Sequence, residues 1–80
     1  MMNLSDAEAG MKLQVERVLD QTPEVLRYLD RIGLRPGSLL EVVEVLSFDG
    51  QMFLRVDGDK VTVSERLAGK MLVTDAVDDD

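Results

Sequence analysis

The chain has no cysteine, no histidine and no tryptophan among its 80 residues. Without cysteine no disulfide framework can form, and without Cys and His there is no zinc site of the usual kind. Catalysis that depends on imidazole or thiolate is excluded for the same reason. Aromatics are scarce as well. Tyr28, Phe48 and Phe53 make up 4% of the residues, so the core has to be built mainly from Leu, Val, Ile and Met. No apolar run approaches the roughly 20 residues of a membrane helix, and the N-terminus carries no signal-peptide pattern. The expectation is one cytoplasmic domain with a small core and no membrane insertion.

Positive charge is also in short supply. Nine Lys and Arg stand against sixteen Asp and Glu, a formal charge of −7. Asp75, Asp78, Asp79 and Asp80 all fall in the last six positions, and without them the balance is nine against twelve. Residues 75–80 are therefore expected to form an acidic, disordered tail behind a mildly acidic folded domain, 1–74. Direct nucleic-acid contact is disfavoured, because its affinity needs clustered Lys and Arg to replace phosphate counterions. Arg27, Arg31 and Arg35 form the one cluster, and Asp30 lies among them.

The most informative stretch runs from Thr22 to Ser38. Thr22 can cap a helix, Pro23 suits its first position, and Glu24 faces the positive end of its dipole. Val25, Leu26, Leu29 and Ile32 fall on one apolar stripe. Gly33 stands where a helix ends in the left-handed conformation, with Leu34 placed to fold back onto Leu29. Arg35-Pro36-Gly37-Ser38 has Pro and Gly at the central positions of a type II turn.

Strands surround this helix. Met11 to Val18 reads as the first, and Leu39 to Leu46 as a long, bent strand with apolar residues on both faces. Asp49-Gly50 and Asp57-Gly58 are hairpin signals flanking the alternating Met52, Leu54 and Val56. Lys60 to Val63 is a fourth strand, and Ser64 caps a single helical turn, Glu65 to Gly69. Met71 to Thr74 is the last strand. Ser5-Asp6-Ala7-Glu8 has capping-box spacing, cut short by Gly10, and Met1-Met2-Asn3 reads as no more than a start. The fold class is mainly β: a small barrel of about five strands, with one short helix after the first strand.

This pattern resembles the FeoA-like domain, an SH3-like barrel. The residues that carry the resemblance are Leu4-Ser5, Gly10, Leu29-Asp30, Gly33-Leu34, Pro36-Gly37, Glu41-Val42 and the hairpin at Gly58. Together they span Leu4 to Val73, nearly the whole chain, and the corner Ile32-Gly33-Leu34-Arg35-Pro36-Gly37 is the most specific of them. The resemblance implies one of two settings. One is the C-terminal domain of a DtxR-type repressor that senses iron or manganese. The other is a free-standing FeoA protein accompanying the FeoB ferrous-iron transporter. Asp20 to Leu29 and Val63 to Val73 are more similar to the repressor domain, whereas no DNA-reading or dimerisation helices are present. The partners implied are the other domains or the proline-rich linker of a repressor chain, or a FeoB-type transporter.

The resemblance also implies ancillary metal ligands before the helix, a carboxylate and an amide three residues apart. Gln21 and Glu24 occupy matching positions with the residue types exchanged, and Asp20 adds a third oxygen donor. Oxygen ligands suit Fe²⁺ or Mn²⁺, but two or three are too few to close a site. The simpler account is that Glu24 complements the helix dipole and Asp20 is a loop acid. Other acid groupings carry less. Asp57 and Asp59 belong to a turn, and Glu41 and Glu44, three apart on a strand, are expected on opposite faces. No grouping of residues makes an enzyme.

Overall fold

The computed structural model describes residues 1–76. Its strands are β1 (Met2–Asn3), β2 (Lys12–Val18), β3 (Leu39–Leu46), β4 (Gln51–Val56), β5 (Asp59–Ser64) and β6 (Met71–Asp75). Two helices interrupt them, α1 (Pro23–Arg31) between β2 and β3, and α2 (Glu65–Ala68) between β5 and β6. The strands form one antiparallel sheet in the order β1-β6-β2-β3-β4-β5. This is the expected small SH3-like, mainly β architecture, with six strands where about five were expected. The extra strand comes from the N-terminus: Met2 pairs with Val73 and Asn3 with Leu72.

The same N-terminal residues also reach the junction between α2 and β6. Asn3 Nδ2 donates to the Gly69 carbonyl at 2.7 Å, just beyond α2, while its Oδ1 accepts from the Ser5 N–H at 2.9 Å. Asn3 thus caps a 3₁₀ turn, Leu4–Asp6, and the capping box expected from Ser5 and Glu8 does not form. Leu4 behind it is fully buried.

Two bulges curve the strands. Pairing in β2 shifts between Val15 and Arg17, so inward-facing residues fall at Leu13, Val15 and Val18. Pairing in β3 shifts between Val42 and Glu44. Glu41 then stands opposite Arg55 and Glu44 opposite Phe53, two positions apart on β4. Glu41 and Glu44 therefore share the outer face, contrary to the simple alternation expected, because the bulge adds one residue to the count.

The core between these elements is aliphatic. Leu13, Leu29, Leu34, Leu54, Val42, Val73, Met52 and Met71 are all 1% exposed or less, and no described polar residue is buried. Leu29 is the buried contribution of α1, flanked by half-buried Val25, Leu26 and Ile32. The aromatics stay out of it: Phe48 at the β3–β4 turn and Tyr28 on α1 are exposed, and Phe53 is half-buried.

The turn chemistry follows expectation closely. Gly33 has φ +85°, the Leu34 N–H reaches the Leu29 carbonyl at 2.8 Å, and the Gly33 N–H reaches Asp30 at 3.2 Å. Those two bonds define a Schellman stop for α1. Ser38 N–H donates to the Arg35 carbonyl at 2.8 Å across the Pro36-Gly37 turn. Val56 pairs with Asp59 across Asp57 and Gly58, both at positive φ. At the C-terminus Asp75 pairs with Leu13 and the Ala76 N–H donates to Lys12, so the strand runs one residue past the expected edge at 74. The rest of the expected acidic tail, residues 77–80, lies outside the described residues.

Candidate functional site

Of the three expected ligands, Asp20 and Gln21 lie on the short link between β2 and α1, and Glu24 lies in the first turn of α1. β2 ends at Val18 in register with Met71, and the next N–H, that of Leu19, donates to the Lys70 carbonyl at 2.7 Å. This brings the link against the α2–β6 junction. Asp20 turns the chain: its Oδ1 accepts from the Thr22 N–H at 2.8 Å, and Pro23 then opens the helix. The Thr22 hydroxyl makes no capping bond to the helix.

The other carboxylate oxygen of Asp20, Oδ2, accepts from Lys70 Nζ at 2.8 Å, with the Asp20 side chain 21% exposed. The hydrogen bonds from Lys70 and then from Thr22 hold the Asp20 carboxyl well below the usual carboxylate range. Lys70 lies 50 residues from Asp20 in the chain, so only the fold brings the two together.

Gln21 and Glu24 are differently placed. Gln21 Nε2 donates back to the Val18 carbonyl at 2.9 Å, which orients the amide and leaves its Oε1 without a bond among the described residues. Glu24 is exposed in the first turn of α1 and joins no ion pair among the described residues. The donor chemistry of these two suits an oxygen-preferring divalent cation, but two ligands cannot hold one alone. Each Asp20 oxygen already accepts a hydrogen bond, Oδ1 from Thr22 and Oδ2 from Lys70, whereas Gln21 Oε1 and the Glu24 carboxylate accept none among the described residues. Among the described residues no group of three or more acidic side chains gathers to hold a metal ion.

Elsewhere the surface offers shallow apolar relief. Leu39, 59% exposed, lines two clefts, as does Asp57. One, of about 380 Å³, is lined by Lys12, Leu40, Arg55 and Ala76 among others. The second is bordered by Gly33, Arg35 and Val56. Neither is lined by an aromatic residue. Arg35 pairs with Asp30 at 2.7 Å and Arg55 with Glu41 at 3.3 Å, so part of the local positive charge is answered within the chain. No described helix is long and apolar enough to cross a membrane.

Comparison with known proteins matches residues 2–75 to the family model of the FeoA domain. No curated protein matches the chain. Among solved structures, an iron uptake regulatory protein (FeoA) is 28% identical, with a TM-score of 0.80 over 90% of this chain and 92% of its own. FeoA from Chlorobium tepidum is 26% identical, with a TM-score of 0.84 over 99% of this chain and 74% of its own. A manganese-dependent transcriptional repressor solved with manganese is 27% identical, with a TM-score of 0.88 over 94% of this chain. The chain spans only 36% of that repressor's length.

Proposed function

Because the chain belongs to the FeoA domain family, we propose that it is a regulatory and interaction module of transition-metal homeostasis, the C-terminal domain of an iron- or manganese-dependent DtxR-type repressor. One observation carries this reading: the TM-score of 0.88 with the manganese-dependent repressor, the match extending over 94% of this chain. In that setting the module performs no chemistry of its own and acts in the cytoplasm. It docks on the other domains, or on the proline-rich linker, of its own chain, and DNA is read elsewhere in that chain. The clefts beside Leu39 are the aliphatic surface it offers for docking. Toward Fe²⁺ or Mn²⁺ held mainly by those other domains, it lends the Gln21 amide oxygen and the Glu24 carboxylate. The Gln21–Val18 bond pre-orients the first of these.

A second reading has its own support. The mutual cover with the iron uptake regulatory protein, 90% and 92%, favours a free-standing FeoA protein that engages a FeoB-type ferrous-iron transporter. Tagging the 3′ end of the chromosomal gene and immunoblotting its product separates the two. The repressor reading expects a product much heavier than 8.9 kDa that also carries a winged helix. A tagged product of only about 9 kDa overturns it and leaves the free-standing protein.

A further inference from the structure

The Lys70 ammonium occupies the corner where β2, α1 and β6 meet. Four bonds converge on this corner: Lys70 Nζ to Asp20 Oδ2 at 2.8 Å, Thr22 N–H to Asp20 Oδ1 at 2.8 Å, Leu19 N–H to the Lys70 carbonyl at 2.7 Å, and Lys70 N–H to Leu67 at 3.0 Å. Together they tie the entry of α1 to the exit of α2. The Asp20 and Lys70 side chains are 21% and 36% exposed, so the pair is partly shielded from water. A divalent cation bound to Asp20 would sit about 2 Å from a carboxylate oxygen, beside an ammonium already in contact with it. Two cations that close repel each other strongly, and the second oxygen is turned to the backbone.

We propose that Asp20 is not a metal ligand but the anchor of an internal clasp, with Lys70 as its built-in counter-cation. Of the residues at this corner, Gln21 and Glu24 lend oxygens to a metal ion and Asp20 does not. Asp20 is then a positioning residue, since the turn it forms sets where Gln21 and Glu24 stand. The ligand half of this inference rests on the metal role proposed above, whereas the clasp itself does not.

Two measurements on the 80-residue chain keep those halves distinct. Amide exchange of Leu19 reports the clasp, with the core amide of Val15, bonded to Ser38, as the reference for global unfolding. Asp20→Asn and Lys70→Met should each speed Leu19 exchange about two- to fivefold, the range expected of a lost exposed or half-exposed ion pair. The double variant should exchange no faster than either single one. Unchanged exchange, or fully additive effects, would overturn the clasp.

Titration with Mn²⁺, read as amide line broadening, reports the ligands. Asp20→Asn should leave the broadening of residues 21–25 as it is in the parent chain. Lys70→Met should move it to several-fold lower Mn²⁺, because a carboxylate is freed and a repelling charge removed. Loss of the response in Asp20→Asn, or no shift in Lys70→Met, would overturn the exclusion of metal from Asp20. Absence of any response at residues 21–25 in the parent means that Gln21 and Glu24 hold no metal without the other domains, and Asp20 is then judged by exchange and by whether Lys70→Met gains a response.

Discussion

Gly33 joins local backbone chemistry to distant packing. Its φ of +85° is open to glycine but strained for a β-branched residue, and a Cβ there would lie 3.2 Å from Val56 Cγ1. Val56 is itself buried, so it has little room to give. Replacing Gly33 by Val combines backbone strain, loss of the Schellman stop and a tight contact with β4. The expected cost is about 3 kcal/mol, read as a lowered midpoint of chemical denaturation. An unchanged midpoint would show that α1 can end without a left-handed residue.

The two helices begin in opposite ways, although both are preceded by a hydroxyl residue. Ser64 Oγ accepts from the Leu67 N–H at 3.0 Å and so satisfies one of the unpaired donors at the start of α2. At α1 the Thr22 hydroxyl makes no such bond, and Asp20 and Pro23 shape the entry instead. Ser64→Ala should therefore cost about 1 kcal/mol of stability. Thr22→Ala should cost less than about 0.5 kcal/mol, as an exposed substitution that loses no capping bond. Denaturation of the two variants side by side tests the contrast, and equal losses would count against it. The strands show a comparable departure from local rules: the β3 bulge puts Glu41 and Glu44 on one face despite their odd spacing.

Across the whole molecule the charge is −7, and two of the nine basic side chains, Arg35 and Arg55, are paired with acids on the surface around Leu39. Lys70 is held by Asp20. What remains is too sparse to neutralise a run of phosphates. The chain alone should give no saturable shift of duplex DNA below micromolar protein, even at low salt, where electrostatic binding is strongest. A gel shift at tens of millimolar salt measures this. Saturable binding there would mean that DNA contact is not delegated to other domains, against the repressor reading.

Much of this architecture was legible residue by residue, for a physical reason. Turns, caps and helix stops depend on the conformations of two to six adjacent residues. Gly33, Pro36-Gly37, Asp57-Gly58 and Ser64 all declared their geometry in the sequence. The same local chemistry made the FeoA likeness visible. Three features had no local signature. The pairing of Met2 and Asn3 with β6 joins the two ends of the chain, and the bulges of β2 and β3 answer to the strands beside them. The Asp20–Lys70 pair spans 50 residues, and its two halves look like unrelated surface charges until the strands align. A bond between distant residues depends on where the whole backbone carries them, and only the tertiary structure decides that.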